Sequence, residues 1–141
     1  MKKALCWILA GALAGYVVWW ALPEYFHERA DPRSQQSLSK VAAEINRSVP
    51  VMIDKETELL AVVGAEGMLI YNYRLVSYAV AQVDHGKFAA GAKRQVTQGA
   101  CNQVETRDGF LKKGITLRYS YFDKNKQHIA TVDVTPADCG F

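Results

Sequence analysis

The residue types that could carry out catalysis occur in this sequence, but their spacing matches no catalytic pattern. The three histidines, His27, His85 and His128, lie far apart, and none belongs to an HExxH, HxH or Cys-His arrangement. The sequence contains no GxSxG elbow, P-loop or GxGxxG loop. We therefore predict that the protein is not an enzyme and that it holds no metal ion and no cofactor.

A group of carboxylates precedes the first predicted hairpin. Asp54, Glu56 and Glu58 alternate along the chain, so they would share one side of an extended segment. The sequence around them offers no apolar environment that would raise a carboxyl pKa for acid-base catalysis. We interpret the group as a solvated edge of the domain.

Two of the cysteines are placed to form a disulfide. Cys101 lies well inside the chain and Cys139 lies two residues from its C-terminus, while Cys6 lies within an apolar N-terminal run that, as argued below, would place the rest of the chain outside the cytoplasm. An even pair in an exported domain predicts one bridge, whereas a reactive or metal-binding pair would need closer spacing and a neighbouring histidine. Closing a loop of roughly 40 residues would stabilise the domain by roughly 4 kcal/mol in the chain-entropy model.

The N-terminal run is long enough to cross a bilayer. Residues 4–22 contain no charged side chain, and a helix of this length spans about 28 Å, close to the roughly 30 Å hydrocarbon core. Lys2 and Lys3 favour a cytoplasmic N-terminus. Aromatic residues cluster at the opposite end of the run, as expected at the far interface: Trp19, Trp20, Tyr25 and Phe26. We predict a single-pass signal anchor over residues 1–22 in a bacterial inner membrane, with the C-terminal domain in the periplasm.

A cleaved signal peptide is the alternative. Ala12-Leu13-Ala14 is a small-x-small site at which a signal peptidase could cut. The mature chain would then begin with an apolar tail, GYVVWWAL, which disfavours cleavage. A lipoprotein anchored at Cys6 is less favoured still, because no apolar region precedes that cysteine.

Within the apolar run, Gly11 and Gly15 form a GxxxG pattern. Small residues on one helix face let two helices approach closely in lipid, so the pattern is compatible with a homodimer formed through the membrane helix. Ordinary membrane-helix composition, which is rich in Gly and Ala, explains the pattern equally simply.

The rest of the chain predicts a linker over residues 23–36 and a periplasmic α+β domain over residues 37–141. An amphipathic helix begins at Ser37 and stops before Pro50, and β-rich runs follow on either side of Ala65-Glu66. A turn centred there pairs Leu60 with Tyr71 and Val62 with Leu69. Two short helices then fill residues 86–114, ending near Gly99 and Gly114.

A second hairpin ends the predicted domain. Pairing Phe122 with Gln127 sets Leu117 opposite Val132 and Tyr119 opposite Ala130, so apolar residues meet apolar residues. The predicted fold is thus an antiparallel sheet of about four strands, packed against helices on its tyrosine-rich face and held by one disulfide.

The other face of this sheet is polar. Six residues should point away from the helices: Asn72, Arg74, Arg118, Ser120, Thr131 and Asp133. With two arginines and several hydroxyls, this face could bind a protein partner or an acidic group of the envelope. The simpler alternative is that an antiparallel sheet exposes one face to water.

Length and charge restrict the classes of function further. The 141 residues hold one membrane segment and one small domain. Basic residues (17) and acidic residues (14) are nearly balanced and are scattered along the chain, whereas nucleic-acid binders concentrate basic charge. We predict no nucleic-acid partner.

A set of short motifs extends along residues 40–139. It comprises the entry Ile53–Leu59, the strand Tyr71–Tyr73, the single mid-domain Cys101, the strand Gly114–Tyr121 and the terminal Asp138-Cys139. This set resembles a family of small, largely uncharacterised, exported or membrane-anchored bacterial envelope proteins. The resemblance implies an envelope location and a disulfide, and it implies no established activity. Lys126 stands where this family commonly has a turn glycine.

Two classes of function follow. The first is a noncatalytic single-pass membrane protein, in lipid contact through residues 4–22, whose periplasmic domain binds another protein as an accessory subunit or as an immunity-type inhibitor. The second is a cleaved, soluble periplasmic or secreted domain that binds a small ligand or an envelope polymer.

Overall fold

The computed structural model describes residues 30–141, and Asp31–Phe141 form one unit within them. The predicted signal anchor 1–22, its Gly11 and Gly15, and the first half of the predicted linker (23–29) lie outside the described residues. Within residues 30–141, no helix combines the length and the apolarity needed to span a membrane.

The chain folds into runs of strands separated by helices, as expected of an α+β domain. In chain order they are α1 (Gln35–Asn46), β1 (Val51–Met52), β2 (Thr57–Ala65), β3 (Met68–Leu75), α2 (His85–Asn102), α3 (Val104–Gly109), β4 (Thr116–Phe122) and β5 (His128–Val134). Short 3-10 turns lie at Val80–Gln82, Leu111–Lys113 and Pro136–Cys139.

The sheet has five strands in the order β1-β2-β3-β4-β5, and it is mixed. The prediction of about four antiparallel strands is therefore wrong in two respects. β3 and β4 run parallel because α2 and α3 return the chain across one face before β4 begins. β1 adds an edge strand of two residues, which is too short to give a periodic signal.

The register of the first hairpin differs from the prediction by two residues. Val62 pairs with Tyr71, and Ala65 pairs with Met68, because the tight turn lies at Glu66-Gly67. Gly67 has a φ of +65°, a conformation that glycine adopts readily. A shift of two leaves the side chains of β3 on their predicted face, although the predicted pairs Leu60 with Tyr71 and Val62 with Leu69 do not form. In β2, a bulge between Leu59 and Ala61 turns Leu59 and not the predicted Leu60 toward the core.

The second hairpin also pairs two residues away from the prediction. Tyr119 faces Val132, and Leu117 faces Val134, because a bulge follows Tyr121 and the loop extends to Gln127. The Asp123 carboxylate folds this loop by accepting the backbone N–H groups of Asn125 and Gln127, both at 2.8 Å. The faces again remain as predicted.

Lys126 lies in the same loop, at the position where a turn glycine was expected from the resemblance. Lys126 adopts a positive φ of 64°, which residues other than glycine rarely adopt. The loop therefore has the backbone conformation of a glycine turn although the glycine is replaced.

Helix α1 packs directly on β2. The helix begins at Gln35, two residues before the predicted start, and the Ser34 hydroxyl caps it by accepting the Ser37 N–H at 3.2 Å. A side chain at Gly64 would lie 2.3 Å from the backbone of Leu38, so only glycine allows this close crossing. The Asn46 side chain then bonds both the N–H and the C=O of Val62, each at 2.8 Å, and so caps the edge of β2.

Helix α2 is longer than predicted. It runs without a break through Gly91 and Gly99, and Asp84 caps it by accepting the Lys87 N–H at 3.0 Å. The predicted helix beyond it is divided at Phe110 into α3 and a 3-10 turn, which ends at Gly114 with a φ of 80° as predicted.

The core lies on the tyrosine-rich face of the sheet, as predicted. Leu69, Tyr73 and Leu75 of β3 are buried there. The same cluster contains the buried Ala92 and Ala100 of α2. All of this apolar surface is on one side of the sheet, which leaves the opposite face to the polar residues.

The disulfide joins Cys101 and Cys139, with their Cα atoms 5.4 Å apart, which confirms the predicted pair. It ties the last turn of the chain to the end of α2. Disulfides persist in oxidising compartments, so the bridge indicates a domain that works outside the cytoplasm. Cys6 lies outside the described residues.

Candidate functional site

A groove opens on the tyrosine-rich side of the sheet, between α2 and the strands. It consists of two adjoining cavities of about 840 and 590 Å³. Both cavities are lined by Asp54, Thr57, Leu75, Lys87 and Phe88. Volumes of this order are typical of binding sites in proteins.

One wall of the groove is a row on helix α2. Gly91, Gln95 and Gly99 follow one another on α2 at intervals of four residues, so they lie on the same side of the helix, and Gln103 continues this spacing one residue past the end of α2. A Cβ atom added at Gly91 or Gly99 would meet nothing within 4 Å. The interior of the domain therefore does not require glycine at these two positions.

The floor of the groove is a block of tyrosines. Tyr73 stacks on Tyr121 with ring centroids 5.5 Å apart and on Tyr119 with centroids 6.1 Å apart. The edge of Phe88, from α2, meets Tyr121 at 5.0 Å. The parallel pairing of β3 and β4 places these rings side by side, since Tyr71 is opposite Tyr119 and Tyr73 is opposite Tyr121.

The tyrosine hydroxyls in this floor have no hydrogen-bond partner among residues 30–141. Only 8%, 8% and 9% of the surfaces of Tyr73, Tyr119 and Tyr121 are exposed. Burial, and secondarily the charge of Asp54, raises the pKa of Tyr121 to about 12. Burial also raises the pKa of Tyr73 and Tyr119, so all three are neutral hydroxyls at physiological pH.

Charged residues gather at one end of the groove. Asp54 accepts the backbone N–H groups of Glu56 at 2.8 Å and Thr57 at 2.7 Å, and these bonds lower the pKa of its carboxyl group. Glu56 accepts the Tyr78 hydroxyl at 3.2 Å. The expected solvated edge is thus the rim of a cavity, and Asp54 and Glu56 are exposed on it.

The six residues predicted as a partner face do come together on the opposite side of the sheet. Asn72 is in register with Ser120, which is in register with Thr131. The Ser120 and Thr131 hydroxyls are 3.4 Å apart. Arg118 faces Asp133 on the neighbouring strand, and Arg74 lies two residues beyond Asn72 along β3.

The two arginines of this open face are both paired. The Arg118 guanidinium donates to Asp133 through Nε at 2.8 Å and Nη2 at 2.9 Å, which lowers the pKa of Asp133. Arg74 donates to Glu58 at 3.0 and 2.5 Å. The face therefore does not present two unpaired positive charges to an acidic group, and its role as a partner surface stays a prediction.

The two described histidines act as local hydrogen-bonding groups. His85 Nδ1 is 2.9 Å from the carbonyl oxygen of Ile129, and His128 Nε2 is 2.8 Å from the Thr131 hydroxyl. Within residues 30–141, no group of three His, Cys, Asp or Glu side chains could hold a metal ion.

Sequence reasoning missed the groove. It identified the tyrosines as core and α2 as a short helix ending near Gly99, so the row of Gly91, Gln95, Gly99 and Gln103 was not recognised. The usable signal was that interval of four, which would have marked a helix face of small and amide side chains. The depth of the groove and its tyrosine floor follow only from the parallel pairing of distant strands.

The fold is similar to that of several solved structures. A protein of Pseudomonas aeruginosa described as secreted has a TM-score of 0.65 and 21% identity, covering 77% of this chain and 95% of its own. EpsS, the pilotin of the Vibrio vulnificus type 2 secretion system, has a TM-score of 0.62 and 14% identity, with coverages of 79% and 96%. AspS, the type II secretion system pilotin of Vibrio cholerae, has a TM-score of 0.59 and 14% identity, with coverages of 74% and 91%.

At these identities, the similarity establishes the fold and does not by itself transfer a function. Comparison with protein-family models and with curated proteins finds no match. The chain thus carries a small α+β domain, closed by a disulfide, with the fold seen in secretion pilotins and in a protein described as secreted.

Proposed function

We propose that this protein is a noncatalytic binding protein of the bacterial envelope, which holds a segment of a partner protein in the groove beside α2. The observation that carries the proposal is the groove floor, where three largely buried tyrosines bring hydroxyls without partners in the described residues to an open cavity. Neutral hydroxyls that are free to donate and accept hydrogen bonds suit a site that binds.

The similarity to EpsS and AspS supports a partner within an envelope assembly, because both are named as pilotins of type II secretion systems. The Cys101–Cys139 bridge supports a position outside the cytoplasm. We propose an accessory role in such an assembly in preference to an immunity-type inhibitor, since no compared structure is described as an inhibitor.

Photo-crosslinking tests this proposal directly. A benzoylphenylalanine at Gln95, on the groove wall, should capture an envelope protein from native membranes, and mass spectrometry would identify it. The same group at Thr131, on the open face, is the matched control. Adducts from Thr131 alone would move the interface to the predicted open face, and the absence of a protein adduct from both sites would contradict a protein-binding role.

A second candidate is a cleaved, soluble domain whose groove takes a small ligand or an envelope polymer. The neighbour described as secreted favours it, and the cavity volumes suit a small molecule. Native mass spectrometry of the purified protein would reveal a retained ligand by its added mass.

The N-terminal sequence of the native protein decides how it is held. We propose that residues 4–22 anchor it in the inner membrane, so the protein should remain in the membrane fraction through high-salt and alkaline washing. A shortened chain in the soluble fraction, beginning after Ala14, would instead establish the cleaved form.

A further inference from the structure

The hydroxyls on the groove floor indicate which chemical groups the occupant of the groove presents. A hydroxyl that no other residue of the domain bonds needs a partner from outside the domain, whereas phenylalanine would fill the same space without that need. The groove floor carries three such hydroxyls, on Tyr73, Tyr119 and Tyr121, and all three remain neutral at physiological pH. The floor is therefore suited to an occupant that offers hydrogen-bond donors and acceptors along its length.

The wall on α2 points to the same kind of occupant. Glycine lowers helix stability, yet α2 has glycine at positions 91 and 99. No atom of the domain lies within 4 Å of the place that a Cβ at Gly91 or Gly99 would occupy, so packing does not require glycine there. Their bare backbone would let another polypeptide backbone approach closely. Gln95 and Gln103 lie between and beyond them, and each amide can both donate and accept.

An extended segment suits this wall and floor better than a helix. A helix bonds its own N–H and C=O groups, whereas an extended chain must have these groups bonded by its surroundings. The row from Gly91 to Gln103 extends about 18 Å at the helical rise of 1.5 Å per residue. That length accommodates roughly five or six extended residues.

The charged end of the groove gives the segment a direction. Three carboxylates line that end, on Asp54, Glu56 and Asp84, together with the ammonium groups of Lys55 and Lys87. Within residues 30–141, none of these five side chains takes part in an ion pair. The excess of negative charge favours a basic side chain of the occupant at this end.

We propose that the groove binds an extended segment of the partner protein, roughly five or six residues long, with a Lys or Arg beside Asp54. Its backbone bonds the tyrosine hydroxyls of the floor and the Gln95 amide of the wall. The inference rests on the proposed function, because it specifies the part of the protein partner that enters the groove.

The test uses the full-length protein in mild detergent and a phage library of random linear dodecapeptides. Selected peptides should share a basic residue near one end, and methylating their backbone nitrogens should weaken binding at least tenfold. Tyr119→Phe should weaken binding roughly three- to tenfold, the value of one hydrogen bond, without lowering Tm. Gly99→Leu should abolish binding, because its side chain enters the groove. The control Gln98→Leu places the same side chain on the exposed face of α2 and should leave binding unchanged.

Three results would overturn the inference. Tighter binding by peptides that carry helix-favouring α,α-dimethyl residues would make the occupant a helix. Peptides that bind Gly99→Leu as well as wild type would place the site outside the groove. Peptides without a basic residue, equally bound by Asp54→Asn, would remove the assigned direction. In each of these cases, a protein adduct from Gln95 would still support the proposed function. Failure of the proposed function itself would appear as the absence of any protein adduct.

Discussion

At the scale of single residues, the polar groups carried by buried residues divide into those that other residues of the domain bond and those that they leave unbonded. Asp123 belongs to the first kind: its carboxylate is fully buried and accepts backbone N–H groups of Val80, Asn125 and Gln127. The hydroxyls of Tyr73 and Tyr119 belong to the second kind, since they have no partner within residues 30–141. We expect the bonded groups to contribute to the stability of the domain and the unbonded hydroxyls to contribute to binding.

We expect Asp123 to make the domain sensitive to acid. Burial alone would raise the pKa of its carboxyl group, but the three N–H bonds outweigh that effect and lower the pKa. The folded pKa is thus below the unfolded value of 3.8, so this stabilisation is complete above that pH and is lost as the pH falls through the folded pKa.

The variant Asp123→Asn should show this in Tm measured between pH 7 and pH 2. At pH 7 its Tm should be lower than that of wild type, because the amide NH2 would face the Val80 N–H. Its Tm should also fall less steeply with acid, since the titrating group is gone. Parallel pH profiles for the two proteins would contradict the assignment.

The paired arginines predict a stability effect where an unpaired arginine would predict none. Arg118→Gln breaks the two bonds to Asp133, which should lower the free energy of unfolding by roughly 0.5 to 1 kcal/mol. Arg94→Gln is the control, because Arg94 is exposed and has no ion pair within residues 30–141, and it should change stability by less than about 0.5 kcal/mol. Equal urea midpoints for the two variants would show that the open-face pair is not stabilising.

At the scale of elements, Gly64 on β2 and Gly99 on α2 have opposite relations to the packing of the domain. Gly64 is required because α1 crosses β2 where a side chain would collide with helix backbone. Gly99 is not required by any contact within the domain. Gly64 is thus a glycine that close packing requires, whereas Gly99 is a glycine that leaves space for an occupant of the groove.

We expect Gly99→Ala to raise the free energy of unfolding by roughly 0.5 to 1 kcal/mol, through helix propensity alone. Gly64→Ala should lower it by roughly 1 to 3 kcal/mol or more, because the added carbon overpacks the crossing with α1. Chemical denaturation of both variants measures the two effects. A destabilised Gly99→Ala would mean that α2 packs more tightly along the groove than its open wall suggests.

At the scale of the whole molecule, the disulfide closes the domain. It links the end of α2 to the last turn across 38 residues of chain, which include α3, β4 and β5. The groove wall and the C-terminal end are thus fastened to each other at one point. The bridge restricts the unfolded chain more than it changes the folded one.

The double variant Cys101→Ala and Cys139→Ala should lose about 4 kcal/mol of stability on the chain-entropy model. Urea unfolding of wild type under oxidising and reducing conditions should show the same difference, and the double variant should be insensitive to reductant. A double variant as stable as oxidised wild type would contradict the entropic account.

Much of this protein was determined by its sequence, because local patterns depend on near neighbours. The alternation along Leu69–Leu75 determines which side of β3 is buried, and a register shift of two leaves that face unchanged. Cysteine count and compartment determine the pair Cys101 and Cys139. Only the tertiary structure decided that β3 and β4 run parallel, that Arg118 is neutralised by Asp133, and that α2 stands beside a tyrosine floor to form the groove. These features join residues that are tens of positions apart, and the direction in which a crossover returns the chain has no local signature.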